Sequence, residues 1–327
     1  MATFLARRLV WLPIVLFFVS VLTFFLGLYG PGNPVNIMVG LKANPETIER
    51  IKAEYGFDQP VYQQYLNYVF KAIQGDFGYG LVKYRDQPVG RIIAERLPVT
   101  IQLNIAALLV GVIVGIPLGL LAGLTRNSWF DYSVRFLSLI AVSIPLLFLL
   151  PFLTFIFSRR HDLVLNAANL QFAIGPFLPM VGGHWDGIFS TKVLLPILIE
   201  SLGIVAVLTR QMRAGIIETL GQDYVRTARA KGLRERIVIL RHALRNALIP
   251  IATILTLSIG GLVEGSFLVE NWFGIPGVGQ LALDAFTSRE YYIIMAIVLI
   301  IAVAYVAANL VVDLVYPIID PRIRSSK

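Results

Sequence analysis

The sequence predicts an all-α, multi-pass membrane protein, and three observations predict it. Hydrophobic residues make up 57% of the chain and charged residues only 15%, with a mean hydropathy of +0.73. A soluble domain usually carries about 25% charged residues, and a water-soluble chain of 327 residues could not hide this much apolar surface. Six separate segments are each apolar over a length that crosses the ~30 Å hydrocarbon layer. The absence of cysteine excludes a disulfide, a thiolate metal site and a Cys nucleophile. Three scattered histidines, His161, His184 and His242, are a poor basis for a metal site.

The six expected spans are 9–28, 99–124, 136–158, 193–209, 246–263 and 291–312. Span four is interrupted only by Glu200, and span five runs uncharged up to Glu264. The stretch 170–182 is apolar but short and holds Pro176 and Pro179, so it reads as a surface or partly re-entrant segment. Pro13, Pro117, Pro145, Pro151 and Pro196 each fall inside a span. They remove backbone donors and serve either as ordinary kinks or as hinges in a moving bundle.

Orientation follows from Lys and Arg in the short loops. Arg7, Arg8, Arg126, a run from Arg210 to Arg245, and Arg322, Arg324 and Lys327 assign both termini to the cytoplasm. The formal charge of 28 − 20 = +8 is absorbed by these loops, so no nucleic-acid partner is expected. Residues 1–29 read as a retained first helix, because the apolar run is long and no A-x-A-like cleavage site follows it.

Residues 30–98 then lie outside and are polar enough to fold as a small helical domain. Asn44-Pro45-Glu46 offers an N-cap, a proline at N1 and an acidic first turn, and Gly56 offers a stop. A second helix is expected from Pro60 to Gln74, with Tyr62, Tyr65, Tyr68 and Val69 at helical spacing. These tyrosines either pack the domain on the membrane face or form a docking surface. Residues 99–327 make the core of five spans.

The cytoplasmic loop 210–248 is the most informative stretch. Asp223 is placed to cap a short helix that Gly232 ends. Val225, Ala228 and Gly232 share one side of it, and Arg226 and Arg229 a neighbouring face. Small residues allow a partner's backbone to approach, so residues 223–233 read as a helix seated in a partner's groove. Residues 234–245 read as a basic amphipathic helix on anionic lipid, with Ile237, Leu240, Leu244 and Leu248 as its stripe and Arg234, Arg241 and Arg245 opposite.

Several motifs for chemistry are missing or accidental. Gly277-Val-Gly279-Gln-Leu-Ala282 fits a dinucleotide fingerprint but lacks the strand before it. There is no phosphate-binding G-x-x-x-x-G-K-[ST], no H-E-x-x-H and no G-x-S-x-G. Polar groups inside spans are costly and therefore mark a pathway or a contact between helices. Glu200, Asn104, Gln102, Glu264 and Glu270 are the candidates.

Asp223-Tyr224-Val225-Arg226-Thr227-Ala228-Arg229-Ala230-Lys231-Gly232-Leu233 resembles the coupling-helix loop of ABC importer permeases of the dipeptide/oligopeptide branch. The resemblance continues through Pro31-Gly32-Asn33-Pro34, Gly75-Asp76-Phe77-Gly78 and Arg96-Leu97-Pro98-Val99-Thr100-Ile101-Gln102-Leu103. It continues through 270–279 (Glu-Asn-Trp-Phe-Gly-Ile-Pro-Gly-Val-Gly) and 313–322 (Asp-Leu-Val-Tyr-Pro-Ile-Ile-Asp-Pro-Arg). The general loop carries Glu-Ala-Ala where this chain has Arg226-Thr227-Ala228, and Pro250 lies farther from Gly232.

The resemblance implies a type I importer (MetI-like) permease fold of six transmembrane helices in a bacterial or archaeal cytoplasmic membrane. It implies that Asp223, Tyr224, Val225, Arg226, Ala228, Arg229, Lys231 and Gly232 couple to a partner ATPase. The expected partners are a second homologous permease, two cytoplasmic ATPases that bind ATP and Mg, and an extracytoplasmic binding protein, with membrane lipid around them. No cofactor is expected in this chain and no enzymatic activity. Peptides are the expected substrate class; nickel chelates, glutathione and oligosaccharides are alternatives within the same importer type. A stand-alone secondary transporter with Glu200 as a proton-linked group, and a scaffold protein, are the rivals from other classes.

Overall fold

The computed structural model describes residues 2–29, 35, 44–158, 161–165, 170–174 and 185–319. The Pro31–Pro34 motif, Pro176, Pro179, His184 and the basic tail at Arg322, Arg324 and Lys327 lie outside them. In chain order the helices are α1 (Ala2–Tyr29), α2 (Pro45–Tyr55), α3 (Val61–Ile73), α4 (Val89–Val110), α5 (Ile116–Leu124), α6 (Trp129–Ser143) and α7 (Leu146–Ser158). There follow α8 (Leu194–Leu220), α9 (Asp223–Ala230), α10 (Glu235–Ile237), α11 (Leu244–Gly261), α12 (Phe267–Phe273), α13 (Val278–Thr287) and α14 (Tyr291–Ile319). Between α7 and α8 lies a two-stranded antiparallel hairpin, β1 (His161–Leu165) and β2 (Leu170–Ile174), with Leu163 opposite Phe172. The expected surface segment at 170–182 thus begins as a strand.

Five helical stretches are long and apolar enough to span: Trp11–Tyr29, Val89–Leu124, Thr191–Leu220, Glu235–Gly261 and Tyr291–Val311. The sixth is a bent pair, Trp129–Ser143 and Leu146–Phe157, at 114°. Pro145 explains the bend. A proline disfavours the helical region for the residue before it, and Ile144 is extended at φ −85, ψ 120. The span expected at 136–158, with Pro145 as a kink or hinge, is two short helices joined at that proline. Pro196 sits in the first turn of α8, where a missing N–H leaves no bond unmade.

Helix α4 starts at Val89, so the expected boundary at 98/99 falls inside one continuous helix. Helix α8 runs on to Leu220, and helix resumes at Glu235, so the expected loop 210–248 shrinks to the residues around α9. Two π-helical turns interrupt the long helices, at Gly111–Gly115 and Val238–Ala243. The first precedes Pro117, whose ring would clash with the carbonyl four residues back; the wider turn relieves that clash.

The chain forms two compact units. One comprises residues 1–100, 263–267 and 276–310. Its core joins Val89, Ile92 and Ile93 of α4 to Val278, Leu281 and Ala285 of α13 and Ile293, Ala296 and Ile297 of α14. Buried Phe24 of α1 meets Tyr65 edge-on at 5.4 Å and lies 5.7 Å from Tyr68, and the Tyr65 hydroxyl pairs with Ser20 at 2.8 Å. Burial pushes the Tyr68 hydroxyl up to about 12. Tyr65 and Tyr68 therefore pack against α1, whereas Tyr62 stays exposed.

The buried Glu290 carboxylate accepts three backbone N–H bonds, from Leu81 (2.6 Å), Val82 (2.8 Å) and Tyr84 (3.0 Å). Next to it Lys83 pairs with Asp284 at 2.8 Å, which raises the Lys83 ammonium above its ordinary range. These bonds fasten the 76–88 loop to the turn before α14.

The other unit comprises residues 101–262, 268–275 and 311–327. Gly111, Gly115, Gly119 and Gly123 form a four-residue-spaced stripe facing α8. A Cβ on Gly119 would lie 2.4 Å from the Thr209 carbonyl oxygen, and one on Gly111 2.3 Å from the Ile204 side chain. Small residues let two helix backbones approach this closely. Thr209 Oγ1 donates to the Gly115 carbonyl at 3.1 Å across the same seam. Next to this seam α8 buries Leu208, Met212 and Ile216 against Ala243, Ala247 and Ile251.

Candidate functional site

The site is built around α9, eight residues long between Gly221 and Gly232. Gln222 is its N-cap, with extended backbone at φ −77, ψ 149 and no side-chain cap bond. Asp223 is therefore the first helical residue and not the cap; its charge favours the helix N-terminus. At the other end Gly232 is left-handed at φ +75. The Gly232 N–H donates to the Arg229 carbonyl (2.9 Å) and the Leu233 N–H to the Ala228 carbonyl (3.4 Å). These two bonds are a Schellman stop, and the glycine supplies the backbone that an L-residue avoids.

Val225 and Ala228 are buried against Val238, with Leu220 alongside. Of the expected small side, Val225 and Ala228 are thus covered by the chain itself, while Gly232 stays open. Asp223, Arg226, Thr227 and Ala230 face outward, and Lys231 and Gly232 are exposed at the end. Tyr224 and Arg229 are exposed yet engaged. The Asn246 amide donates to the Tyr224 hydroxyl at 2.8 Å. Arg229 reaches Glu235 through Nε at 3.1 Å and Nη2 at 2.6 Å, and this pairing raises the Arg229 guanidinium above its ordinary range.

After α9 the face that packs on the chain differs from the stripe expected to meet lipid. The buried residues are Val238, Ala243, Ala247 and Ile251, while Ile237 and Leu240 are exposed and Leu244 and Leu248 only half-buried. The step from 238 to 243 is one π turn, which aligns residues five apart. A stripe read at 3.6 residues per turn misses that extra residue.

The polar candidates in the spans have separate fates. Gln102 is exposed and accepts the Trp185 indole N–H at 3.1 Å. Asn104 donates to the Leu262 carbonyl at 2.9 Å, a bond between α4 and the end of α11. Glu200, in α8, is half-buried, and Glu264 is exposed just beyond α11. Glu270, in α12, is fully buried. No cluster of three metal-ligating side chains occurs among the described residues.

Sequence reasoning missed the Asp131–Arg213 pair. Asp131 of α6 is fully buried and receives both arms of the Arg213 guanidinium of α8, with Nη2 to Oδ2 at 2.8 Å. The Asn127 N–H donates to Oδ2 at 3.0 Å, and the Ser128 side chain caps the Asp131 N–H at 3.2 Å. The signal was present as Ser128-x-x-Asp131 ahead of an apolar run.

Residues 115–325 match the family described as the binding-protein-dependent transport system inner membrane component. The chain belongs to this family. Residues 1–104 match the corresponding N-terminal membrane component. The chain is 37% identical over 325 residues to the glutathione transport system permease protein GsiC of Escherichia coli (strain K12). It is equally similar to that of Shigella flexneri serotype 5b (strain 8401), and 36% identical to that of Shigella boydii serotype 4 (strain Sb227). Each alignment covers 99% of both chains. This inner membrane component is thus a multi-pass ABC importer permease, a transport subunit with the all-α type I fold.

Proposed function

We propose that this permease imports short peptides, glutathione-sized tripeptides among them, with both termini in the cytoplasm. The observation that carries the substrate class is its end-to-end similarity to permeases named for glutathione transport. An extracytoplasmic binding protein delivers the peptide, a second permease completes the pore, and two cytoplasmic ATPases bind ATP and Mg and supply the work. Helix α9 seats its outward face, with Asp223 and Arg226, in a groove on one ATPase, and Lys231 and Gly232 border that contact. Closure of the ATPase pair then shifts a two-state bundle between inward-open and outward-open arrangements. Glu264, which is exposed, and Glu200, half-buried in α8, are the first candidates for the substrate route.

Reconstitution of the whole importer in proteoliposomes tests the reading. ATP-dependent uptake of labelled glutathione and of a dipeptide series, measured against a nickel chelate and an oligosaccharide, is expected to favour the peptides. Uptake of a chelate or sugar alone contradicts the substrate class. Uptake without ATP by this chain alone contradicts the importer mechanism.

A further inference from the structure

Helix α9 makes a small apolar contact with its own chain. Val225 and Ala228 are its buried side chains, and a helix of eight residues held by so little surface can roll about its axis when pushed. At about 100° per residue, Tyr224 and Arg229 fall about 70° to either side of this buried stripe. Arg226 and Asp223 point the opposite way. The two flanking residues are the ones that bond to the next span: Tyr224 to Asn246 and Arg229 to Glu235. Their two anchors, Glu235 and Asn246, bracket the π-helical turn Val238–Ala243.

We infer that Tyr224–Asn246 and Arg229–Glu235 are lateral struts that stop α9 from rolling and pass its displacement to the span starting at Glu235. The reasoning rests on the reading of α9 as the ATPase contact. The struts are positioning residues: they do not face the outward side, and their work is to make a pushed helix move its neighbour. Arg229 is suited to this because its planar fork binds a carboxylate with two bonds, which fixes direction as well as distance. The pair is half-exposed, so the inference concerns geometry under load, since exposed pairs add little to stability at rest.

The test uses the complete importer in nanodiscs and liposomes, with Arg229→Glu, Glu235→Arg, the double swap, and Asn246→Ala. The readout is ATP hydrolysed per peptide transported. Either single charge reversal is expected to raise that ratio by about threefold or more, and the swap to restore it to within about twofold of the parent, the range a surface ion pair can account for. Because the chain has no cysteine, cysteines introduced at 227 and 240 and spin-labelled on the purified permease before assembly with its partners report the α9 position. The expected distance distribution is narrow in the parent, broad in Arg229→Glu and narrow again in the swap. An unchanged ratio and distribution in the single variants overturns the struts. So does a swap that restores neither, because Arg229 would then act through another partner. Distances that broaden and recover while the ratio never moves would keep the struts as structure but overturn the coupling role of α9 itself.

Discussion

Arg213 of α8 grips the buried Asp131 of α6 with both arms of its guanidinium. A lone carboxylate this deeply buried would be costly, so the pair ties the two helices at the point where α6 begins. Removing Asp131 leaves the Arg213 charge without its partner, whereas removing Arg213 leaves the carboxylate beside Arg135 at 3.5 Å. Asp131→Ala is expected to cost about 3–5 kcal/mol and Arg213→Ala less, both visible as a lowered melting temperature in detergent. Asp131→Leu with Arg213→Met is expected to be milder than either. A double variant as unstable as the worse single variant would contradict this account of the pair.

Two glycines in helices have opposite surroundings. A Cβ at Gly119 meets the Thr209 carbonyl at 2.4 Å, whereas nothing lies within 4 Å of one at Gly203. Gly119→Ala is expected to destabilise the isolated chain by forcing α5 from α8. Gly203→Ala is expected to be neutral or to gain up to about 1 kcal/mol from helix propensity. Thermal melting of both variants side by side checks the contrast.

Glu290 accepts three backbone bonds from the 81–84 loop. Glu290→Gln keeps the shape but turns an amide NH2 toward donors. The expected cost is about 1–3 kcal/mol, the range for leaving buried donors unmet. Amide hydrogen exchange at Leu81, Val82 and Tyr84 should accelerate, with exchange in α9 unchanged.

Gly232 holds φ +75 with open space around its Cβ position. Gly232→Asn is expected to be tolerated and Gly232→Val to fray the end of α9, because β-branched residues resist this backbone. Gly232→Trp adds bulk at the proposed ATPase contact and should uncouple ATP hydrolysis from uptake while the chain still inserts. Normal coupled transport by that variant would contradict the proposed contact.

Glu200 is half-buried in α8. Glu200→Gln keeps its shape and removes its charge, and uptake or stability is expected to fall relative to the parent. Curves that superimpose on the parent's from acid to alkaline pH would remove the charge from the mechanism.

Span positions were legible because their signal is a sum over about 20 residues and tolerates local error. A kink or hinge at Pro145 was legible from the proline, but its size was not, since an apolar run reads alike whether slightly bent or folded back. The stop at Gly232 was legible because one residue type carries it. The cover over Val225 and Ala228 was not legible because a small residue reads alike whether a partner or the chain itself covers it; only Val238, contributed from beyond Gly232, decides which. The face of the segment after α9 that packs on the chain was not legible, because the π turn steps it from Val238 to Ala243, which no 3.6-residue period anticipates. Asp131 and Arg213 are 82 residues apart, and their pairing depends on how α6 and α8 pack.

The central claim is that the outward face of α9 meets an ATPase. A photo-crosslinking amino acid at Arg226, in the importer purified in mild detergent from native membranes, tests it directly. The account predicts an adduct to a P-loop ATPase, identified by mass spectrometry, in a complex that also holds a second six-span permease. An intact complex whose Arg226 adduct forms only with lipid, or a lone chain active without ATP, would contradict it.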